Sequence, residues 1–374
     1  MTQLLLVQQY FHPDISAVAQ LLGQFVAELK RQRADVSIRV ICSDIVRPPS
    51  RRALGRTAGV RYSFCPAIFG SRRSTVAWLL DTLWFHLFSF MSIALMRRRR
   101  TVVCLTTPPL IGFTIALACR LRGFEMIYYV EDLYPELLLD SRVIRAPVVA
   151  KKLAILNRIT LATARHVVAI GAYMRRKLWL NYGYPSYRVR LIENWSSQPF
   201  DGEPVVRPPD YSFIYSGNFG FAHGFELFFR FLERMKSRSA IVRLVGAGRK
   251  AKSVFAAGRS LRNAGRLSIE TAGYVPDERH RELLQSCSFA VVTQDYRTVG
   301  DLVPSKFYSY CAAGTPVLFF GPRHSEIGEA VEEHRLGVVV EIDGDVPGSV
   351  DYVDRLVSDE NLYREVARNC RDYA

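Results

Sequence analysis

The stretch VPSKFYSYCAAGTPVLFF, residues 303–320, places a helix opening, a turn and a short apolar run side by side. Ser305 stands where a side chain caps a first helical turn, Gly314 where a helix ends in the left-handed region, and Pro316 where it is stopped from continuing. PVLFF then reads as a buried strand. Lys306 falls in the first turn, where free backbone N–H groups and the positive end of the helix dipole disfavour a cation unless an anion is close. Two readings follow for this lysine: its ammonium meets a phosphate, or it points into solvent.

Working outward, β-rich runs alternate with amphipathic stretches along the whole chain. In the first half the runs are 4–10, 36–43, 102–107, 126–130 and 166–170, with a helical pattern over 17–32. In the second they are 211–217, 241–248, 267–273, 289–294 and 316–320. Strands alternating with helices predict mostly parallel sheets joined by crossovers, here an α/β chain of two doubly wound, Rossmann-like domains facing across a cleft. SSQPFDGEPVVRPPD (196–210), rich in Pro and polar residues, reads as the linker, giving domains 1–200 and 201–374. Ligands of such sheets bind beyond the carboxyl ends of the strands. On that rule the candidate positions are Tyr10 to Asp14, Glu131 and Asp132, Ser216 to Gly224, Gly246, Gly248, Tyr274 and the opening stretch.

The chain has 374 residues, a hydrophobic fraction of 49% and a formal net charge of +15. Residues 1–200 hold 28 Lys and Arg against 11 Asp and Glu, while the remainder holds 22 against 24. The excess therefore belongs to one domain and predicts a polyanionic surface met by that domain, nucleic acid or an anionic membrane leaflet. No zinc-finger spacing or RNP-type run supports nucleic acid. Seven scattered cysteines without a CxxC pair argue against a disulfide framework or a structural zinc site. No Asp-x-Asp or His cluster demands a metal. The N-terminus has no basic residue before its apolar run and reads as a first buried strand rather than a signal peptide, so a cytoplasmic location is expected.

Residues 78–100, WLLDTLWFHLFSFMSIALMRRRR, are mostly apolar and aromatic and end in four arginines. A span needs about 20 apolar residues. Asp81 and His86 interrupt the run, and VVCLTTPPL continues as a strand of the same sheet. Three readings stand: a span, a packed domain helix, or a helix presenting aromatic and arginine side chains to a bilayer surface. Further basic groups at Arg51, Arg52, Arg72, Arg73, Arg175, Arg176 and Lys177 favour surface attachment.

The motifs YFHPDISAVAQLL (10–22), VEDLYPE (130–136), HVVAIGAYMRRKL (166–178), LIENW (191–195), YSGNFGFAHGFE (215–226), LVGAG (244–248), AGYVP (272–276) and VPSKFYSYCAAGTPV (303–317), in this order and spacing, resemble the retaining glycosyltransferases of family four. These have the two-domain GT-B architecture, and the likeness is to their bacterial surface-polysaccharide branch. The resemblance implies that 301–309 hold a nucleotide sugar, with Lys306, Pro304, Ser305 and the helix amides meeting the diphosphate and Ser309 near the ribose. It also implies that Gly217, Asn218, Gly220, His223, Gly246 and Gly248 line the donor, that Tyr274 lies by the base, and that His12, Asp14 and Ser16 face the acceptor. Asp301, Glu131 and Asp132 become catalytic candidates beside Lys306. Transfer would retain the anomeric configuration by front-face attack, needing charge stabilisation of the leaving diphosphate and no metal or other cofactor.

Three departures mark this chain. Many relatives have two glutamates eight positions apart where Asp301 and Ser309 stand, and a neutral serine does not accept both ribose hydroxyls as a carboxylate does. Relatives commonly place Arg and Lys at the positions of Asn218 and His223, which leaves more of the diphosphate charge to Lys306. Ser16 and Ala17 replace the Gly-Gly pair of many first loops. The expected activity is sugar transfer from a nucleotide-diphosphate donor to a lipid-linked saccharide on the anionic inner membrane surface, in O-antigen, capsule or exopolysaccharide assembly. A nucleotide-sugar epimerase on the same fold and a non-catalytic nucleotide- or saccharide-binding protein are the alternatives.

Overall fold

The computed structural model describes all residues except 1–2, 12–13, 15, 45–58, 70–73, 197–199, 201–209, 236–238 and 263–266. His12, Arg51, Arg52, Arg72, Arg73 and most of the expected linker therefore lie outside the described residues.

The chain divides into two compact units. The first comprises Met1–Glu193 together with Gly300–Leu302, and the second comprises Asn194–Val299 and Val303–Ala374. The division falls a few residues before the expected position 200, and a three-residue return of the chain to the first unit was not foreseen.

In the first unit, β1 (Gln3–Val7), α1 (Ala17–Gln32), β2 (Ser37–Ser43), β3 (Val60–Cys65), α2 (Thr75–Ala94), β4 (Thr101–Cys104), α3 (Ile111–Arg122), β5 (Glu125–Val130), α4 (Glu136–Asp140), α5 (Pro147–Thr163), β6 (His166–Ala169), α6 (Ala172–Tyr182) and β7 (Val189–Leu191) follow in order. The seven strands form one sheet, β3-β2-β1-β4-β5-β6-β7, with every pairing parallel. The order reverses direction between β1 and β4, which is the switch point of a doubly wound sheet. VRYSFC of β3 and VRL of β7 went unread in the sequence, being short edge strands with little alternation to mark them.

In the second unit, β8 (Ser212–Asn218), α7 (Glu226–Arg234), β9 (Ala240–Ala247), α8 (Ala251–Arg262), β10 (Leu267–Ala272), α9 (Asp277–Gln285), β11 (Phe289–Thr293), α10 (Lys306–Ala313), β12 (Val317–Phe320), α11 (Glu326–Glu333), β13 (Gly337–Val340), α12 (Val346–Ser358) and α13 (Glu360–Tyr373) build a second parallel sheet, β10-β9-β8-β11-β12-β13. Its core is aromatic. Phe213 stacks on Phe289 at 5.5 Å between centroids, and Phe231 meets Phe320 edge-on at 5.4 Å. The opening stretch forms α10, ends at Gly314 with φ 72°, and continues into the fully buried β12 as expected. Ser305 occupies the N-cap position but adopts helical backbone and makes no side-chain cap bond, so its capping role is corrected.

The helix α2 turns the usual distribution of side chains around. Asp81, Thr82 and Ser89 are buried, whereas Val76, Leu79, Leu83, Leu87, Met91 and Leu95 form an exposed stripe at helical spacing. The buried polar groups that have partners explain the inversion. Asp81 Oδ1 accepts the backbone N–H groups of Ile68 and Phe69 at 3.0 and 2.9 Å, and His86 Nδ1 lies 2.7 Å from Thr114 Oγ1 on α3. Residues Val76–Ala94 are long and apolar enough to cross a membrane by length and composition, yet a third of that window is buried inside the unit.

Asp81→Ala removes the acceptor of two backbone donors and is expected to lower the stability of the first unit by about 2 kcal/mol. Leu83→Ser on the exposed stripe is expected to stay within about 0.5 kcal/mol. Urea denaturation compares the two, and equal losses would show that α2 buries its leucines instead.

Candidate active site

Parallel strands end their side chains at one edge of each sheet, so the candidate positions are met one unit at a time.

In the second unit, β8 and β9 run in register to their ends, with Gly217 opposite Gly246. Both have φ of 129°, where a side chain is strained. A Cβ on Gly246 would lie 1.9 Å from Gly217 O, so here glycine is required by the neighbouring backbone. At Gly248 the same test meets Asn218 Oδ1 at 2.5 Å and the Phe219 backbone at 2.7 Å. Gly217 differs: the group nearest a Cβ there is Lys306 Cε, at 3.2 Å. The glycines thus draw two strand ends together, and one of them opens onto the lysine.

Lys306 begins α10 and directs its ammonium inward. Nζ lies 3.4 Å from His223 Nε2 and 4.6 Å from the centre of the Tyr215 ring. Among the described residues no carboxylate pairs with it. Burial without a counter-ion drives the Lys306 pKa down to about 7. His223 is buried, and its Nδ1 lies 2.7 Å from Thr293 O. A carbonyl only accepts, so Nδ1 carries the proton and Nε2 offers a lone pair to Lys306. Burial, and then the neighbouring ammonium, hold the His223 pKa well below its ordinary value, so it stays neutral. His223 orients Lys306 and adds no second positive charge.

Around this pair the loop is fixed by Lys250, whose Nζ donates to His223 O at 2.7 Å and Phe221 O at 3.1 Å. Tyr310 OH accepts the Ser216 amide at 2.8 Å, and Ser216 Oγ lies 2.7 Å from His280 Nε2. Asn218 is exposed, Gly220 and Ser305 are half-buried, and Pro304 is buried. Ser309 is half-buried, three residues beyond Lys306 on α10. Tyr274 is 44% exposed. Tyr215, Thr293, Lys250, Tyr310 and His280 were missed in the sequence, because each acts through a partner distant along the chain.

In the first unit, Glu131 and Asp132 follow β5. The Asp132 amide donates to Thr106 Oγ1 at 3.0 Å, and its carboxylate lies 3.4 Å from Tyr134 OH. Burial pushes the Asp132 pKa up to about 6, a value suited to proton exchange near neutrality. Neither residue caps α4, whose N-cap is Pro135 without a side-chain bond. Asp14 is buried and its Oδ1 accepts the Ser16 amide at 2.8 Å, while Ser16 occupies the N-cap of α1 without capping it.

Asp301 requires a correction. It returns with Gly300 and Leu302 to the first unit, is fully buried, and forms an ion pair of 2.6 Å with Lys177, which also holds Asp140 at 2.6 Å. Its backbone carbonyl accepts the Leu133 amide at 2.7 Å. Burial raises the Asp301 pKa to about 8 against the pull of Lys177, and the Asp140 carboxylate adds to the rise. These neighbours make it an internal strut of that unit. Lys177 is corrected with it, since an ammonium between two carboxylates is not offered to a surface.

Residues 200–373 match the family model described as glycosyl transferases group 1. The probable glycosyltransferase WbjE of Pseudomonas aeruginosa is 27% identical over 269 residues, covering 67% of this chain and 64% of that protein, a little under two thirds of its length. Among solved structures, WaaG, a glycosyltransferase involved in lipopolysaccharide biosynthesis, superposes with a TM-score of 0.66 at 11% identity over 99% of this chain and 95% of its own. HepE of Anabaena in complex with UDP-glucose gives 0.65 at 12% identity over 100% and 94%. The two parallel-sheet domains are those of the GT-B fold.

Lys306 provides a test through proton linkage. The unfolded chain keeps this proton up to about pH 10.5, whereas the folded chain releases it above about 7. Between those values the unfolded state binds more protons, so stability rises with pH. Compared with Lys306→Met, the wild type is expected to gain about 1 kcal/mol per pH unit in that window and nothing below it. A flat difference in urea-denaturation free energies across pH 7 to 10 would place the ammonium in solvent.

Proposed function

We propose that the chain transfers a sugar from a nucleotide-diphosphate donor to a saccharide acceptor, lipid-linked and held at the anionic inner face of the membrane, in surface polysaccharide assembly. The observation that carries this reading is the counter-ion-free ammonium of Lys306, set at a helix start beside Gly217 in a domain that matches the group 1 glycosyl transferases. A helix N-terminus and a buried cation together form an anion site, and the diphosphate of a nucleotide sugar has the matching charge.

The chemistry follows from that charge. As the bond between the anomeric carbon and the diphosphate oxygen lengthens, negative charge grows on the leaving group, and Lys306 with the first amides of α10 stabilises it. The acceptor hydroxyl bonds to the anomeric carbon on the same face, and its proton passes to the departing phosphate oxygen, so configuration is retained. His223 keeps the ammonium aimed by accepting one of its hydrogens. Asp132 is the carboxylate assigned to the acceptor hydroxyl, and no metal or cofactor enters the scheme. HepE was solved with UDP-glucose, which supports a nucleotide-sugar donor for the same fold. The exposed leucine stripe of α2 and the arginines that follow it support a peripheral membrane location, with the cytoplasm supplying the donor.

Release of nucleoside diphosphate from UDP-, GDP- and dTDP-sugars, with and without a membrane lipid extract, tests the proposal. Lipid-dependent release from one donor is expected. Lys306→Ala is expected to lower kcat by about 10²- to 10³-fold while leaving vesicle binding intact. Wild-type turnover in that variant would remove Lys306 from the reaction, and no release from any donor by the folded protein would point to a binding role.

A further inference from the structure

At the start of the first sheet, away from the strand ends just described, four arginines gather with no acid paired to them among the described residues. Arg39 on β2 is in direct register with Arg61 on β3. Gln3 is in register with Ser37, and Leu4 with Thr101, so Arg100 falls beside Gln3 at the head of β4. Residues in register, and residues two apart, share a face. Arg39, Arg61 and Arg100 therefore point to one side of the sheet, and Arg61 Nη2 donates to Ser37 Oγ there at 3.1 Å.

Like charges on adjacent strands repel, and packing them together needs a compensating group. Among the described residues none is present. Arg39 Nε and Arg100 Nε and Nη1 are buried with no hydrogen-bond partner, and none of the four arginines is paired with a carboxylate. Glu125, near this edge, is in register with Thr101 and so faces the opposite side, where it is bound to Arg165. The carbonyl of Met96 beyond the end of α2 is taken by Arg122 Nη2 at 2.6 Å. Burial, and then Arg39, Arg61 and Arg98, lower the Arg100 pKa from its ordinary value, as expected for a cation lacking an anion. Arg61 and Arg98 are exposed, so the cluster opens to solvent.

We propose that Arg39, Arg61, Arg98 and Arg100 form a binding site for a phosphate group, and that the phosphate belongs to the headgroup of an anionic lipid. Guanidinium forks match tetrahedral oxyanions two bonds at a time, and an oxyanion supplies the acceptors that the buried N–H groups lack. The lipid source follows from continuity. The exposed apolar stripe of α2 ends at Leu95, and Arg98 and Arg100 follow within five residues, which places acyl-chain contacts beside headgroup contacts. The source of the phosphate rests on the membrane-facing reading of α2, whereas the site itself does not.

Two measurements on the full chain separate these claims. In a Lys306→Met background, which silences the other anion site, inorganic phosphate is expected to raise the thermal midpoint relative to chloride at equal ionic strength. Arg39→Gln/Arg61→Gln is expected to lose that rise while starting from an equal or higher midpoint, because repulsion has been removed. Arg39→Lys/Arg61→Lys, which keeps the charge but not the fork, is expected to lose it too. In sedimentation with phosphatidylcholine vesicles containing phosphatidic acid, Arg39→Gln/Arg61→Gln is expected to weaken binding about tenfold more than Arg97→Gln/Arg99→Gln, which removes equal charge from the same region. Leu83→Ser/Leu87→Ser is expected to lose vesicle binding and keep the phosphate response. No response of the midpoint to phosphate, or a response that Arg39→Gln/Arg61→Gln retains in full, would overturn the site. A phosphate response without a difference between the pairs on vesicles would keep the site and overturn its lipid source.

Discussion

A half-buried lysine whose ammonium meets no carboxylate among the described residues is the constraint on which the candidate site of the second unit depends. Lys306 is held by a histidine lone pair and an aromatic face, both of which attract an ammonium weakly compared with water or a carboxylate. The arrangement persists because the surrounding groups are themselves tied down: His223 by Thr293, its backbone by Lys250, and the strand ends by glycines that allow two backbones to touch. What the fold leaves at this point is unmet demand for negative charge, which the diphosphate of the proposed donor would meet. Such preorganisation is what charge stabilisation in a leaving-group site requires.

The first unit handles charge in the opposite way where it builds structure and in the same way where it faces outward. Lys177 lies between Asp140 and Asp301, and Asp81 accepts two backbone N–H groups, so these buried polar groups find partners within the unit. The arginines at the head of the sheet are left uncompensated, as Lys306 is. Paired ions hold the unit together, and the unpaired ones are where a ligand is proposed. The helix α2 follows a related division, with Asp81 and His86 partnered on the inner side and a leucine stripe outward.

Several of these features were legible in the sequence because they are local. The helix of the opening stretch, its glycine stop and the buried PVLFF strand depend on propensities within a few residues, and all three formed as expected. The alternation of strands and helices was enough to give two parallel sheets, because crossover connections leave few other topologies. The short edge strands β3 and β7 were lost since three to six residues carry too little periodicity. Asp301 was assigned by its spacing to Ser309, but an ion pair with a lysine far upstream leaves no mark on spacing.

What the sequence by itself determined is the architecture and the charge asymmetry between the halves, since each follows from residue type and short-range order. Only the tertiary structure decided which charges are neutralised. Coulombic and hydrogen-bond partners are chosen by proximity in space, so Lys177 became internal, His223 became a neutral support, and Arg39 and Arg61 were brought against Arg100 by strand register.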